Sequence, residues 1–290
     1  MSDFLKNIKY IQGDSSIFES STQPLNILWG VQPRDLPGLE FLIPIMQIVK
    51  FIKAVHYLTI LIADIHELLD SPHLTLRRIQ NKGKAYKILI QLLVELFDAN
   101  SNNIYYKFGS EFQLSSEYIL DFYNLSSLTT IDETFKAREI NIESVKMNTL
   151  IYPILQSLDE KYINCDVFYG SITQELMCVY SETIMNKYKK DYDVKKVLYL
   201  LQDMNKKICI SFFDPPDTIQ NKLNDFSQED IEYLYDNILI PLLDLREDNV
   251  VLLSNNKEKI GELLSKHLDL FYNNLFNSEF GAFYYKFMNS

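Results

Sequence analysis

Cysteine is scarce in this 290-residue chain: there are three, Cys165, Cys178 and Cys209, and no Cys-x-x-Cys pair. That odd, scattered set excludes a disulfide scaffold and a thiolate zinc site, and it fits buried, reduced thiols in a cytosolic or nuclear protein. Glycine is equally sparse at 8 residues, and neither a Gly-x-Gly-x-x-Gly fingerprint nor a Walker loop is present. The glycine loops that cradle phosphates are therefore missing. The four histidines, His56, His66, His73 and His267, lack the spacing of metal ligands, so no metal is expected, and no HExxH or GxSxG occurs. The longest apolar stretches are cut by Lys50, Lys53, His56, Asp64 or His66, and Met1 to Ser20 has charge but no apolar core. Neither a membrane span nor a signal peptide is expected. Positive charge is short too, with 28 Lys and Arg against 39 Asp and Glu and a net charge of -11. Such a surface repels a phosphate backbone as a whole, so any nucleic-acid contact must be local.

What is present is the makeup of a packed protein, 47% apolar and 23% charged. Apolar β-formers at Asn26 to Gly30, Leu58 to Asp64, Ile104 to Phe108, Asp166 to Tyr169 and Val197 to Leu201 predict five strands. Between them the spacing predicts helices near Gly38 to Val55, Leu74 to Phe97, Ser115 to Ser126, Glu139 to Leu158 and Gln174 to Tyr188. Strands alternating with helices imply right-handed crossovers and a doubly wound parallel sheet, an α/β fold. After Pro215-Pro216 the alternation gives way to three helical stretches, Asp217 to Phe226, Gln228 to Leu243 and Lys257 to Phe276. The expected organisation is an N-terminal extension (1–25), a Rossmann-like domain (26–214) and a small helical C-terminal domain (215–290). Pattern alone points to a crevice at the carboxyl ends of the strands and to no particular chemistry.

Several blocks carry a family likeness. They are Leu28-Trp29-Gly30, Pro37-Gly38-Leu39-Glu40-Phe41-Leu42-Ile43-Pro44, and the run from Leu61 through Ala63-Asp64-Ile65-His66-Glu67 to Asp70. Phe112-Gln113-Leu114-Ser115-Ser116-Glu117-Tyr118, Asp121 to Ser127 and Ile151 to Glu160 follow in order. Together, over Asn26 to about Leu243, the chain resembles eukaryotic and archaeal tyrosyl-tRNA synthetases. The resemblance implies a class I synthetase fold that binds tyrosine and ATP, forms tyrosyl-adenylate and charges tRNA. It also implies a HIGH-type tetrapeptide directly after Pro37 and a mobile KMSKS-type loop, both of which hold the triphosphate. Where the first is expected the chain has Gly38, Leu39, Glu40 and Phe41, which removes the imidazole donor and adds a carboxylate. Where the second is expected, between the last strand and Asp217, Gln202 to Ser211 contains no Lys-Met-Ser run.

The amino-acid pocket implied by the resemblance is half kept. Tyr152, Gln156 and Asp159 match residues that embrace tyrosine, spaced by four and three so that they share a helix face, and Gln174 belongs with them. Leu28 stands where a tyrosine is expected, Phe168 where a glutamine is, and Thr173 where a carboxylate is. His66 fits a hydrogen-bonded residue at a strand end better than a base, because nothing nearby in sequence supplies a nucleophile. RNA contacts would fall on two basic stretches, one with Arg77, Arg78, Lys82, Lys84 and Lys87, the other running from Lys187 through Lys189 and Lys190 to Lys207. A solvated helix face explains them as well, and Asn224 to Ser290 carries 12 acids against 5 bases, which disfavours RNA there. The family pairs through helices around Asp121 to Leu158, where Tyr123, Leu125, Ile140, Ile142, Val145, Met147 and Leu150 supply apolar surface. The expectation is a cytoplasmic, inactive synthetase-like protein that binds or regulates, by mimicking the synthetase or pairing with it or as a homodimer, and that uses no cofactor. The alternatives are a divergent active ligase, with ATP and tyrosine bound and Lys206 and Lys207 in the signature roles, and an RNA-binding module without catalysis.

Overall fold

Runs of β-branched, leucine and aromatic residues, each bounded by polar turns, form five parallel strands: β1 (Asn26–Val31), β2 (Tyr57–Ile62), β3 (Ile104–Phe108), β4 (Val167–Ser171) and β5 (Lys195–Tyr199). The computed structural model describes residues 17–34, 37–97, 99, 101–138, 145–199, 210–240 and 256–276. The strand order is β3-β2-β1-β4-β5, with Leu28 opposite Thr59 on one side and Phe168 on the other. Chain direction across the sheet therefore reverses between β1 and β4, and in a doubly wound sheet ligands settle in the crevice at that switch point.

The helices are α1 (Ile17–Ser20), α2 (Leu42–Lys53), α3 (Asp64–Asp70), α4 (Leu76–Leu96), α5 (Ser116–Ser127), α6 (Ile131–Arg138), α7 (Met147–Ile163) and α8 (Glu175–Tyr188). Beyond β5 come α9 (Pro216–Asp225), α10 (Gln228–Leu234), a π turn over Tyr235–Leu239, and α11 (Lys257–Phe276). The chain divides into two compact units whose segments alternate along the sequence. The first comprises Met1–Arg34, Lys50–Lys87 and Asn100–Leu201; the second comprises Asp35–Val49, Ile88–Ala99 and Gln202–Ser290.

In the first unit one core lies between the sheet and helices α5 to α8, built on Leu28, Leu61, Tyr118, Leu125, Leu158, Phe168, Ile184 and Leu198. Each fully buried aliphatic side chain of this kind stabilises by roughly 1.5–3 kcal/mol. Gly83 lets α4 approach the sheet, since a side chain there would strike Ile62 and Phe108. In the second unit Ser227 and Asp230 form a capping box that starts α10, and Pro215 and Pro216 open α9. Lys257 Nζ donates to the carbonyls of Asn224 (3.1 Å) and Phe226 (2.6 Å), which closes the end of α9 against α11.

Three expectations need correction. The second strand stops at Ile62 instead of reaching Asp64, because Asp64 opens α3 and its carboxylate accepts from the N–H groups of Ile65 (3.0 Å) and Ser110 (2.8 Å). A carboxylate needing those donors cannot continue a buried strand. The helix expected from Glu139 begins at Met147, residues 139–144 lie outside the described residues, and α6 precedes it unforeseen. Its buried face is only Thr134 and Ala137, too little apolar periodicity to announce a helix. Leu125, expected to add to an exposed apolar face, is fully buried on the inner side of α5.

Candidate functional site

The switch-point crevice holds a cavity of about 80 Å³. Its apolar wall is Leu28 of β1, Leu61 and Ala63 at the end of β2, and Phe168 of β4. His66 of α3, Tyr152, Gln156 and Asp159 of α7, and Gln174 supply the polar wall. The structure thus brings together all four residues expected to form the pocket remnant. Gly30 contributes open space: a side chain added there would meet nothing within 4 Å. The cavity thus combines room for a few waters, walls of mixed polarity and a backbone left bare in mid-strand.

Asp159 anchors the polar end. One oxygen, Oδ1, accepts from Gln113 Nε2 (2.6 Å) and Tyr118 Oη (2.8 Å), while Oδ2 has no partner among the described residues. Burial pushes this carboxyl up to about 8, against the opposing effect of those two donors, with Glu160 and Asp64 adding repulsion. His66 faces it, Nε2 to Oδ2, at 3.7 Å, beyond hydrogen-bond reach, and neither ring nitrogen has a partner among the described residues. Burial drives the His66 imidazole down to about 4, the neighbouring Arg138 adding to this and Asp70 opposing it. At pH 7 the imidazole is neutral and the carboxyl mostly so, and the contact is not a salt bridge. Two buried groups with unused hydrogen-bonding capacity therefore sit side by side at the cavity wall.

His66 thus differs from the expectation: it lies on α3, not at a strand end, and its ring nitrogens are unbonded among the described residues. It was missed as a pocket residue because its neighbours in sequence carry no partner chemistry. Gln113 and Tyr118, which hold Asp159, went unassigned because they lie 46 and 41 residues from it.

Tyr152 is held from both sides. The His66 ring meets it edge-on at 4.5 Å between centroids, and the Arg138 guanidinium lies 4.2 Å from its ring centre. Arg138 is 3.6 Å from Asp70, which also takes Arg34 at 2.7 Å and the Gln32 amide at 3.2 Å. Glu67 accepts from Arg34 Nε (3.3 Å) and from the Ser71 hydroxyl (2.6 Å). This web ties the end of β1 to α3 and fixes the orientation of Tyr152.

Other expected site residues lie elsewhere. Gly38 to Phe41 belong to the second unit: Gly38 is extended and bridges Ser211, Leu39 N–H donates to the Ile210 carbonyl at 2.9 Å, and Leu39–Phe41 form a 3-10 turn. A side chain at Gly38 would come within 2.9 Å of that same carbonyl oxygen and would also strike the Glu40 carboxylate. Arg77 and Arg78 are exposed at the start of α4, and Lys189 and Lys190 are exposed just past α8 beside Asp191. Val145 is half-buried before α7; Ile142, Cys209, Lys206 and Lys207 lie outside the described residues. Cys165 and Cys178 are buried free thiols, and burial pushes Cys178 up to about 12, so neither is a nucleophile at neutral pH. Among the described residues no helix is long and apolar enough to cross a membrane, and no cluster of His, Cys, Asp and Glu is placed to hold a metal.

A five-stranded parallel sheet ordered 3-2-1-4-5, with a polar-ended pocket at its switch point, defines a protein of the doubly wound α/β class. Residues 20–229 match the family model of class I tRNA synthetases (W and Y), and the chain belongs to that family, as a tyrosyl-tRNA synthetase-like member. It is 32% identical over 192 residues to a probable cytoplasmic tyrosine–tRNA ligase of Vairimorpha ceranae, covering 64% of this chain and 58% of that one. It is 30% identical over 203 residues to the cytoplasmic tyrosine–tRNA ligase of Xenopus tropicalis, covering 69% of this chain and 38% of that one. The chain thus spans well under two thirds of the length of these relatives. Among solved structures, tyrosyl-tRNA synthetase from Aeropyrum pernix superposes with a TM-score of 0.81 at 11% identity, covering 100% of this chain and 99% of that one. The Archaeoglobus fulgidus enzyme complexed with L-tyrosine gives 0.70 at 19% identity, covering 93% and 96%. At such identities the structural matches speak for the fold alone.

Proposed function

We propose that this chain is a synthetase-like protein that no longer activates tyrosine and serves instead as a binding or regulatory factor. The observation that carries the reading is the backbone around Gly38. A Cβ at Gly38 would stand 2.9 Å from the backbone oxygen of Ile210, and the Glu40 carboxylate turns into the space beside it where the family resemblance implies an imidazole. Gly38 supplies no donor, and Glu40 adds a carboxylate of like charge beside the expected phosphate site. One preorganised donor aimed at developing charge is worth about 10²–10³ in rate, so losing both signatures would remove on the order of 10⁴ or more.

The pocket supports a reduced ligand role rather than none. Tyr152, Gln156, Asp159 and Gln174 still line one cavity, while Leu28 and Phe168 line it where the family resemblance implies polar groups. Weak tyrosine binding without ATP binding is the matching behaviour. The protein acts in the cytoplasm, with residues 26–214 as the Rossmann-like part and 215–290 as the helical part. It pairs with a second copy or with an intact synthetase through α5 to α7. Tyr123 (64% exposed), Ile131 (60%) and Met147 (70%) leave apolar surface uncovered there. A role on tRNA would fall to Arg77, Arg78, Lys189 and Lys190, and is disfavoured by the net charge of -11.

A divergent active ligase is the second reading, favoured by the unused polar atoms of Asp159 and His66. Calorimetric titration separates the two. The inactive reading expects no saturable heat with magnesium-ATP and weak or absent heat with tyrosine. Micromolar binding of both ligands would establish the ligase reading in its place.

A further inference from the structure

A second cavity, of about 690 Å³, lies at the opposite edge of the sheet, where β1 and β2 begin. Its size falls within the roughly 300–1,000 Å³ span of small-molecule sites. Phe18, Pro24, Lys50, Lys53, Val55 and His56 are among its walls, and no carboxylate is among the described residues that line it. In a chain with a net charge of -11, a cavity whose described lining carries two lysines and no acid is set apart from the chain's general charge.

Lys50 is the informative residue. It projects from the last turn of α2, it is half-buried, and no acceptor among the described residues reaches its ammonium group. Burial lowers its affinity for the proton, with no counter-charge to offset the effect. A half-buried cation without a partner is costly unless an anion pairs with it. Lys53 is engaged in another contact. His56 is engaged as well: its Nδ1 accepts from the Leu25 N–H at 3.2 Å, and Phe18 meets its ring edge-on at 5.7 Å.

The rim is also built under strain. Val55 follows α2 with φ 67, a left-handed conformation that a β-branched residue rarely takes. It is held there by the hydrogen bonds Val55 N–H to Ile52 O (2.9 Å) and His56 N–H to Phe51 O (3.1 Å). The turn leaves Val55 62% exposed at the cavity, an apolar side chain turned toward solvent. Strain of this kind persists only where surrounding structure enforces it, and it concentrates at binding sites.

We propose that this cavity binds a small amphipathic carboxylate, its head paired with Lys50 and its apolar tail lying along Phe18, Pro24, Ala54 and Val55. One unpaired point charge matches a monoanion. A phosphate would call for an arginine fork or a nest of backbone donors, and no arginine is among the described residues that line the cavity. The site lies at the opposite edge from the switch-point pocket and stands whether or not the reading of that pocket holds.

The test uses the full chain with decanoate labelled at the carboxyl carbon, followed by NMR and calorimetry, and with decanol as the neutral counterpart. The expected result is saturable one-to-one binding of decanoate, about tenfold tighter than decanol, the usual worth of a hydrogen bond to a charged group. Lys50→Met should remove that preference, and Lys50→Arg should keep affinity within about threefold of the native value. Ala54→Trp, at an exposed position that leaves the fold alone, should abolish binding of both compounds. Equal binding of decanol and decanoate, affinity unchanged in Lys50→Met, or no saturable binding below the concentration at which decanoate self-associates would each overturn the proposal.

Discussion

Asp159 gives the sheet unit a pH dependence that can be worked out in advance. The folded state holds its proton to about 8, whereas an unfolded aspartate releases it near 3.8. Between those values the native state binds one proton more than the unfolded state, so stability falls as pH rises. The gap of about four units corresponds to something on the order of 5 kcal/mol over its whole range. His66 works in the opposite sense. It is neutral in the fold down to about 4 and protonated below 6.5 when unfolded, so its contribution rises with pH across that interval. The two slopes cancel between roughly pH 4 and 6.5, and only the Asp159 effect remains from 6.5 to 8, on the order of 2 kcal/mol. Asp159→Asn removes it while keeping an oxygen for Gln113 and Tyr118. Trp29, the only tryptophan, is buried in β1, so its fluorescence follows unfolding of this unit alone. The variant should gain on the native protein by roughly 4–8 °C in Tm between pH 6.5 and 8.5. A difference in Tm that stays flat across that interval would refute the assignment of a protonated, buried carboxyl.

Other outcomes follow from the same geometry. Gly30→Val should leave the melting curve nearly unchanged, because open space receives the side chain, yet abolish any tyrosine binding seen by calorimetry; retained binding would move the ligand elsewhere. Lys196→Met should destabilise by about 3–5 kcal/mol, since it strands Glu160 without its buried partner, and the double variant with Glu160→Leu should recover much of that in urea unfolding. A charge at Val145 or Ile142 should convert dimers to monomers in sedimentation at micromolar concentration with the fold intact. A native protein that is already monomeric, and unable to pair with a synthetase subunit, would remove the proposed interface.

Much of the sheet was legible because β2 and β4 are short apolar runs bounded by turn residues, and because helices of ten or more residues separate the strands. The sequence was misleading where one group changes role with context. Leu58 to Asp64 looks like a single strand until Ser110, 46 residues away, supplies the donors that make Asp64 a helix start. Tyr152, Gln156 and Asp159 could be placed on one face from spacing alone, since α7 is continuous through them. Gln174 joined them only through family likeness, because a strand and a turn intervene. His66 carried no local signal: its place in the pocket depends on α3 packing beside α7, a contact between distant segments. The closure around Gly38 was invisible as well, because the atom that blocks a side chain is a backbone carbonyl at Ile210.

Whether the proposed loss of adenylation holds is read by tyrosine-dependent exchange of pyrophosphate into ATP. With the full chain at micromolar concentration and saturating tyrosine and magnesium-ATP, exchange should be indistinguishable from a control without protein. Exchange within a hundredfold of an ordinary tyrosyl-tRNA synthetase, abolished by Asp159→Ala, would contradict it and identify an active ligase.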